Sequence, residues 1–146
     1  MKFVSGMLFL LTCALPASGG VVVNEVLFHP NSTNLLEQWF ELYNTGPTNV
    51  NLSGWQITRG VAFTFPTNTV LATGGYLVVA ADGPTFASRH PGVANYVAGW
   101  SGTLGHSLEL SDKTGQVINS VEFYDEGDWA ARVLGADGVP GALRKR

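Results

Sequence analysis

The stretch Trp39-Phe40-Glu41-Leu42-Tyr43-Asn44-Thr45-Gly46-Pro47 decides the fold. Phe40 and Leu42 alternate with Trp39, Glu41 and Tyr43, a period of two that gives a strand one apolar face and one mixed face. Asn, Gly and Pro then close it as a turn. The same alternation recurs around Trp55 and Ile57, at Phe63 and Phe65, and at Leu108 and Leu110. Val117, Val121 and Phe123 are expected on one face of a further strand, with Ser120 and Glu122 on the other. Two runs, 21–28 and 76–81, are more continuously apolar, as central strands are.

Punctuation falls between these runs. Pro30, Pro47, Pro66, Pro84 and Pro91 lie where a missing N–H does no harm. Asp112-Lys113-Thr114-Gly115 separates two alternating runs and predicts a hairpin. Residues 84–91 predict one short helical turn. Roughly seven short strands joined by turns predict an all-β chain, an antiparallel β-sandwich or barrel.

Composition agrees. At 146 residues with 13% charged and 45% hydrophobic side chains, the chain fits one domain and is too apolar and too weakly charged for disorder. Eighteen glycines and seven prolines favour short elements and tight turns over a helical bundle. The lone Cys13 excludes an internal disulfide and any multi-thiolate metal site.

Residues 1–19 have the layout of a secretory signal peptide. Lys2 supplies the positive start, Met7 to Leu11 the apolar run, and Ala17, Ser18 and Gly19 the small residues before the cut. Cleavage would remove Cys13 and place the mature protein outside the cytoplasm, secreted or periplasmic. The apolar run is shorter than the roughly 20 residues a spanning helix needs. Without Lys2 the chain has seven basic and eleven acidic side chains, a net charge of -4. Arg144, Lys145 and Arg146 are three of those seven, so the rest carries four against eleven, a net of -7. Nucleic acid would bind against that field.

The ordered set Val22-Val23-Asn24-Glu25-Val26, Glu41 to Gly46, Asn51-Leu52-Ser53-Gly54-Trp55, Phe65-Pro66, Gly74 to Val79, Leu108-Glu109-Leu110, Gly115 to Ile118 and Trp129 is identifiable. It resembles the lamin tail domain family, bacterial exported type, over about residues 21–130. The resemblance implies an immunoglobulin-like β-sandwich over residues 20–131 and a module that is not an enzyme. In exported bacterial proteins such domains resemble attachment or interaction units, binding a protein or surface polymer. They often accompany nucleases, phosphatases or spore-coat-type kinases. Residues 132–146 resemble a Gly-rich tail or linker, so an accessory domain of a larger exported enzyme is the alternative function. Asn119 departs from the Asp often found before the last strand.

Candidate chemistry is sparse, and no motif names a reaction. Asn24, Glu25, Glu41 and Trp55 are expected to be structural, Trp55 as a core residue after the Ser53-Gly54 turn. His29, His90 and His106 are too scattered for a helical zinc site. Gly99-Trp100-Ser101-Gly102 lacks the second glycine position of a nucleophile elbow. Asp125, Glu126 and Asp128 around Gly127 offer oxygen ligands for calcium, or form a solvated acidic loop. Trp100 and Trp129 are candidate binding platforms for a sugar ring or a protein, or else covers for the sandwich ends. A carbohydrate-binding module is therefore a further alternative.

Overall fold

The computed structural model describes residues 20–123 and the pair Leu143–Arg144. Strand β1 (Val21–Leu27) pairs with β2 (Trp39–Asn44), which pairs with β7 (Tyr76–Ala80). The short β11 (Leu143–Arg144) lies on the outer side of β1, and β8 (Tyr96–Ala98) on the outer side of β7. The second sheet is ordered β10 (Val117–Glu122), β9 (Ser107–Ser111), β4 (Gln56–Arg59), β5 (Phe63–Thr64). A small hairpin-like pair, β3 (Val50–Asn51) and β6 (Val70–Leu71), closes one end. The fold is the expected all-β sandwich, divided into more and shorter strands.

The core lies between the sheets. Phe40, Leu42 and Val79 of the first sheet and Leu108 and Leu110 of the second are fully buried, with Ile57 and Phe63 beside them. Each such side chain stabilises the fold by about 1.5–3 kcal/mol relative to exposure. Phe65, Leu52 and Leu71 fill the end under β3 and β6. Asn44 is the one polar side chain among the largest fully buried ones, and its amide is satisfied. Its Nδ2 donates to the carbonyls of Thr48 (2.8 Å) and Leu71 (3.1 Å), and its Oδ1 accepts from the Gly46 N–H (2.9 Å).

Two bulges alter the expected faces. In β1 the register shifts between Val23 and Glu25, so Val21 and Val23 face the core before Asn24, and Val26 and Phe28 after it. This parity change accounts for the apolar run. In β10 the register shifts between Val117 and Asn119. Val117 therefore turns outward, at 50% exposure, rather than sharing a face with Val121 and Phe123. Ile118 and Val121 pack on the core instead.

Asn119, at this bulge, connects the sheets: its Oδ1 accepts the Val23 N–H at 3.0 Å. Asn119→Ala is expected to lose about 1–2 kcal/mol by leaving that N–H without its partner. Asn119→Asp keeps the acceptor and should stay within about 1 kcal/mol of the parent. Denaturant titration of both variants checks this; equal losses would show that the acceptor is immaterial.

One strand pair is not antiparallel. β7 and β8 run parallel, joined by α1 (Gly83–Arg89), because a parallel pair needs a crossover rather than a tight turn. The helix is longer than the single turn expected. Asp82 caps it, its Oδ1 accepting from the Thr85 N–H at 2.9 Å, with Pro84 in the first turn. Its Phe86 is buried with Val78 and Ala80 on the outside of the first sheet. From Leu77 to Ala80, β7 is thus covered on both faces, which explains its continuous apolarity there.

Asp112 organises the β9–β10 hairpin, its Oδ1 accepting from the Thr114 N–H and hydroxyl and the Gln116 N–H. The Thr114 hydroxyl first, and the backbone donors after it, hold the Asp112 carboxyl below its ordinary range. The Thr85 hydroxyl does the same for Asp82. Both folded-state values are depressed, so their stabilisation is present above the unfolded carboxyl value and is lost as pH falls through the folded one. The melting temperature should therefore drop below about pH 4. Asp82→Asn/Asp112→Asn should flatten that drop, and an unchanged acid profile in the double variant would refute the assignment.

Candidate interaction face

The outer face of the first sheet is built in rows set by strand register. Val22, Tyr43 and Tyr76 lie side by side across β1, β2 and β7. The Tyr43 and Tyr76 rings stack at 4.5 Å with 21° between their planes, and Tyr76 is 48% exposed. In the next row Glu25 stands opposite Glu41, which stands opposite Val78. Asn24, in the bulge, donates from Nδ2 to Glu41 Oε1 at 2.8 Å. A third row, Leu27, Trp39 and Ala80, approaches α1. There Trp39 meets Phe86 and His90 edge-on, at 6.4 and 6.0 Å, and Phe86 also meets Tyr96 at 5.0 Å. Trp39 Nε1 is buried and has no hydrogen-bond partner among the described residues. The helix covers one half of the face and leaves the tyrosine half open.

A shallow recess of about 310 Å³ opens beside the helix, lined by Leu27, Pro30, Asn31, Ser32, Glu37, Arg89 and His90. Arg89 donates from Nε and Nη2 to Glu37 Oε1, at 3.0 and 2.6 Å. The Ser32 hydroxyl and then Arg89 hold the Glu37 carboxyl below its ordinary value. This ion pair ties the 3-10 turn Leu35–Glu37 to α1, and the Arg89 charge is already answered.

Of the residues marked in the sequence, Asn24, Glu25 and Glu41 come together on the open face. Trp55 is half-buried at the core margin rather than inside it. Its N–H donates to the Leu52 carbonyl, and its carbonyl accepts the Phe65 N–H, so the backbone closes the Ser53-Gly54 turn. Trp100 departs from the platform expectation. It is 9% exposed, and its ring stacks on Phe40 at 5.5 Å and 15°. A ring packed in this way plugs the core and offers little open face to a sugar.

Trp129 and the Asp125, Glu126 and Asp128 calcium candidates lie outside the described residues, as do residues 1–19 with Cys13. His29 packs on Phe28 at 4.9 Å, while His90 lies against Phe86 at 4.7 Å. No group of three or more His, Cys, Asp or Glu among the described residues is placed to hold a metal. No helix among them is long and apolar enough to cross a membrane.

The family model described as Lamin Tail Domain matches residues 14–125. The chain belongs to the lamin tail domain family. A search of curated proteins finds no matching relative. The lamin tail domain is a non-catalytic immunoglobulin-like module, which agrees with the two sheets and their core. The match ends before Trp129. Within this lamin tail domain the tyrosine pair is the feature that sequence reasoning missed. Its only signal was that Tyr43 occupies an outward position beside Phe40 and Leu42. Tyr76 reaches it solely through β2–β7 register.

Proposed function

We propose that this lamin tail domain is an exported, non-catalytic interaction module. It binds a protein or a cell-surface polymer through the open half of the first sheet's outer face. The stacked Tyr43–Tyr76 pair, with Tyr76 exposed and Tyr43 half-buried, carries the reading. Tyrosine presents a large apolar ring with a polar tip at low conformational cost, and such rings anchor interfaces. Glu25, Glu41 and Asn24 supply a polar margin next to it. Export is supported by the basic, apolar and small-residue order of residues 1–19.

A glycan array, immobilised cell-wall polymer and a displayed peptide library are the probes, each tested with the parent and with Tyr43→Ser/Tyr76→Ser. Binding should fall at least ~10-fold in the double variant. The melting temperature should move by no more than about 4 °C. Ligands bound equally by both proteins would overturn the reading, as would hydrolysis of nuclease or phosphatase substrates by this chain alone. Intact mass of the exported protein checks export directly, with Gly20 as the expected first residue. A retained residue 1 would refute the cleavage.

A further inference from the structure

We propose that the open tyrosine face takes a basic peptide segment of a partner protein. A lysine or arginine stem packs along Tyr43 and Tyr76, and its cationic head pairs with Glu41. This rests on the reading of that face as the binding face and names its occupant.

Strand geometry sets the spacing. Glu41 and Tyr43 are two residues apart on β2, so their side chains leave the same side of the sheet about 7 Å apart. That is close to the reach of an extended lysine or arginine side chain, which packs its methylenes on apolar surface and carries its charge at the tip. The tyrosine rings stack at 4.5 Å, close to the separation of neighbouring strands, and so stand side by side as a two-ring ridge across β2 and β7. An amino sugar carries its ammonium directly on the ring, a shorter stem that fits this spacing less well.

Charge points to the same occupant. Asn24 Nδ2 donates to Glu41 Oε1 at 2.8 Å, which orients the carboxylate without neutralising it. Glu41 makes no ion pair among the described residues. Its neighbour across the ladder is Glu25, a second carboxylate, which has β11 on its other side. Residues 20–123 carry three basic side chains against seven acidic ones, a net of -4. None of the three serves Glu41: Arg59 lies 3.9 Å from Glu122, Arg89 is bonded to Glu37, and Lys113 sits in the β9–β10 hairpin. A basic partner therefore meets a complementary field and an unanswered carboxylate beside an apolar ridge.

Fluorescence anisotropy tests this with three labelled probes: a peptide of alternating lysine and glycine, the same peptide acetylated on every lysine, and a chitosan oligosaccharide. Alternation lets an extended peptide turn every lysine to one side, and acetylation keeps the stem while removing the charge. The lysine peptide should bind the parent at least ~5-fold more tightly than its acetylated form, and Glu41→Gln should abolish that preference. Glutamine keeps an acceptor for Asn24, and an unchanged melting temperature shows that the variant is folded. Glu122→Gln makes the same charge change on the second sheet and should leave the preference intact. Equal losses in the two variants would assign binding to the overall field and overturn the proposal. A lysine peptide that binds no better than its acetylated form, or not at all, would overturn it too. Tighter, Glu41-dependent binding of the chitosan would make the occupant a polymer instead. Tyr43→Ser/Tyr76→Ser separates the two readings. If it weakens a ligand that Glu41→Gln leaves untouched, the face stands and the basic occupant falls. If the lysine peptide binds it as tightly as the parent, the face itself falls.

Discussion

Phe40→Ala is expected to reduce the free energy of unfolding by about 3–5 kcal/mol, a large share of the 5–15 kcal/mol that a domain holds in total. Phe40 is fully buried in the middle of β2 and supports the Trp100 ring in a near-parallel stack. Truncation loses the transfer energy of the ring and leaves a cavity bounded by Leu42, Val79 and Trp100, members of the same core cluster. Phe40→Leu retains most of the volume and should lose only about 1–2 kcal/mol. Guanidinium denaturation measures both. Tryptophan emission supplies an independent readout, because loss of its neighbour should let water approach Trp100 and shift the emission to the red. A loss below about 1 kcal/mol with unchanged emission would contradict the packing.

Gly60→Ala should lose on the order of 3 kcal/mol or more, from left-handed backbone strain and overlap together. Gly60 has φ +91°, and a Cβ there would lie 2.1 Å from the Ser107 carbonyl oxygen and 3.3 Å from Leu108 Cδ2. The oxygen belongs to backbone at the start of β9, so relief requires moving β9 relative to β4. Gly74 separates the two contributions. It also has positive φ, +64°, but nothing lies within 4 Å of its added Cβ. Gly74→Ala should therefore lose only about 1–2 kcal/mol, from strain alone. Equal melting temperatures for the two variants would refute the close approach.

Much of the fold was legible because a half-buried strand must alternate. Phe40 and Leu42, Phe63 and Phe65, and Leu108 and Leu110 point inward as their spacing required. Turn chemistry was equally readable, since Asp112 caps its hairpin through bonds confined to a few neighbouring residues. Val117 was misplaced because a bulge adds one residue and reverses the faces, and the bulge leaves no mark in the apolar pattern. Trp100 was readable as a loop aromatic, but its stacking on Phe40 joins residues far apart in the chain. The parallel β7–β8 pair depends on where the chain returns after α1, which strand periodicity does not encode.

The candidate face shows the same division. Composition and local order alone determined an all-β, weakly charged domain with acidic character, because burial alternation, turn propensity and net charge are properties of short segments or of the whole count. Only the tertiary structure brought Tyr43 onto Tyr76, Asn24 onto Glu41, and Arg144 opposite Glu25. Each of these contacts depends on strand register, and register is settled by the packing of the complete core rather than by any segment taken singly.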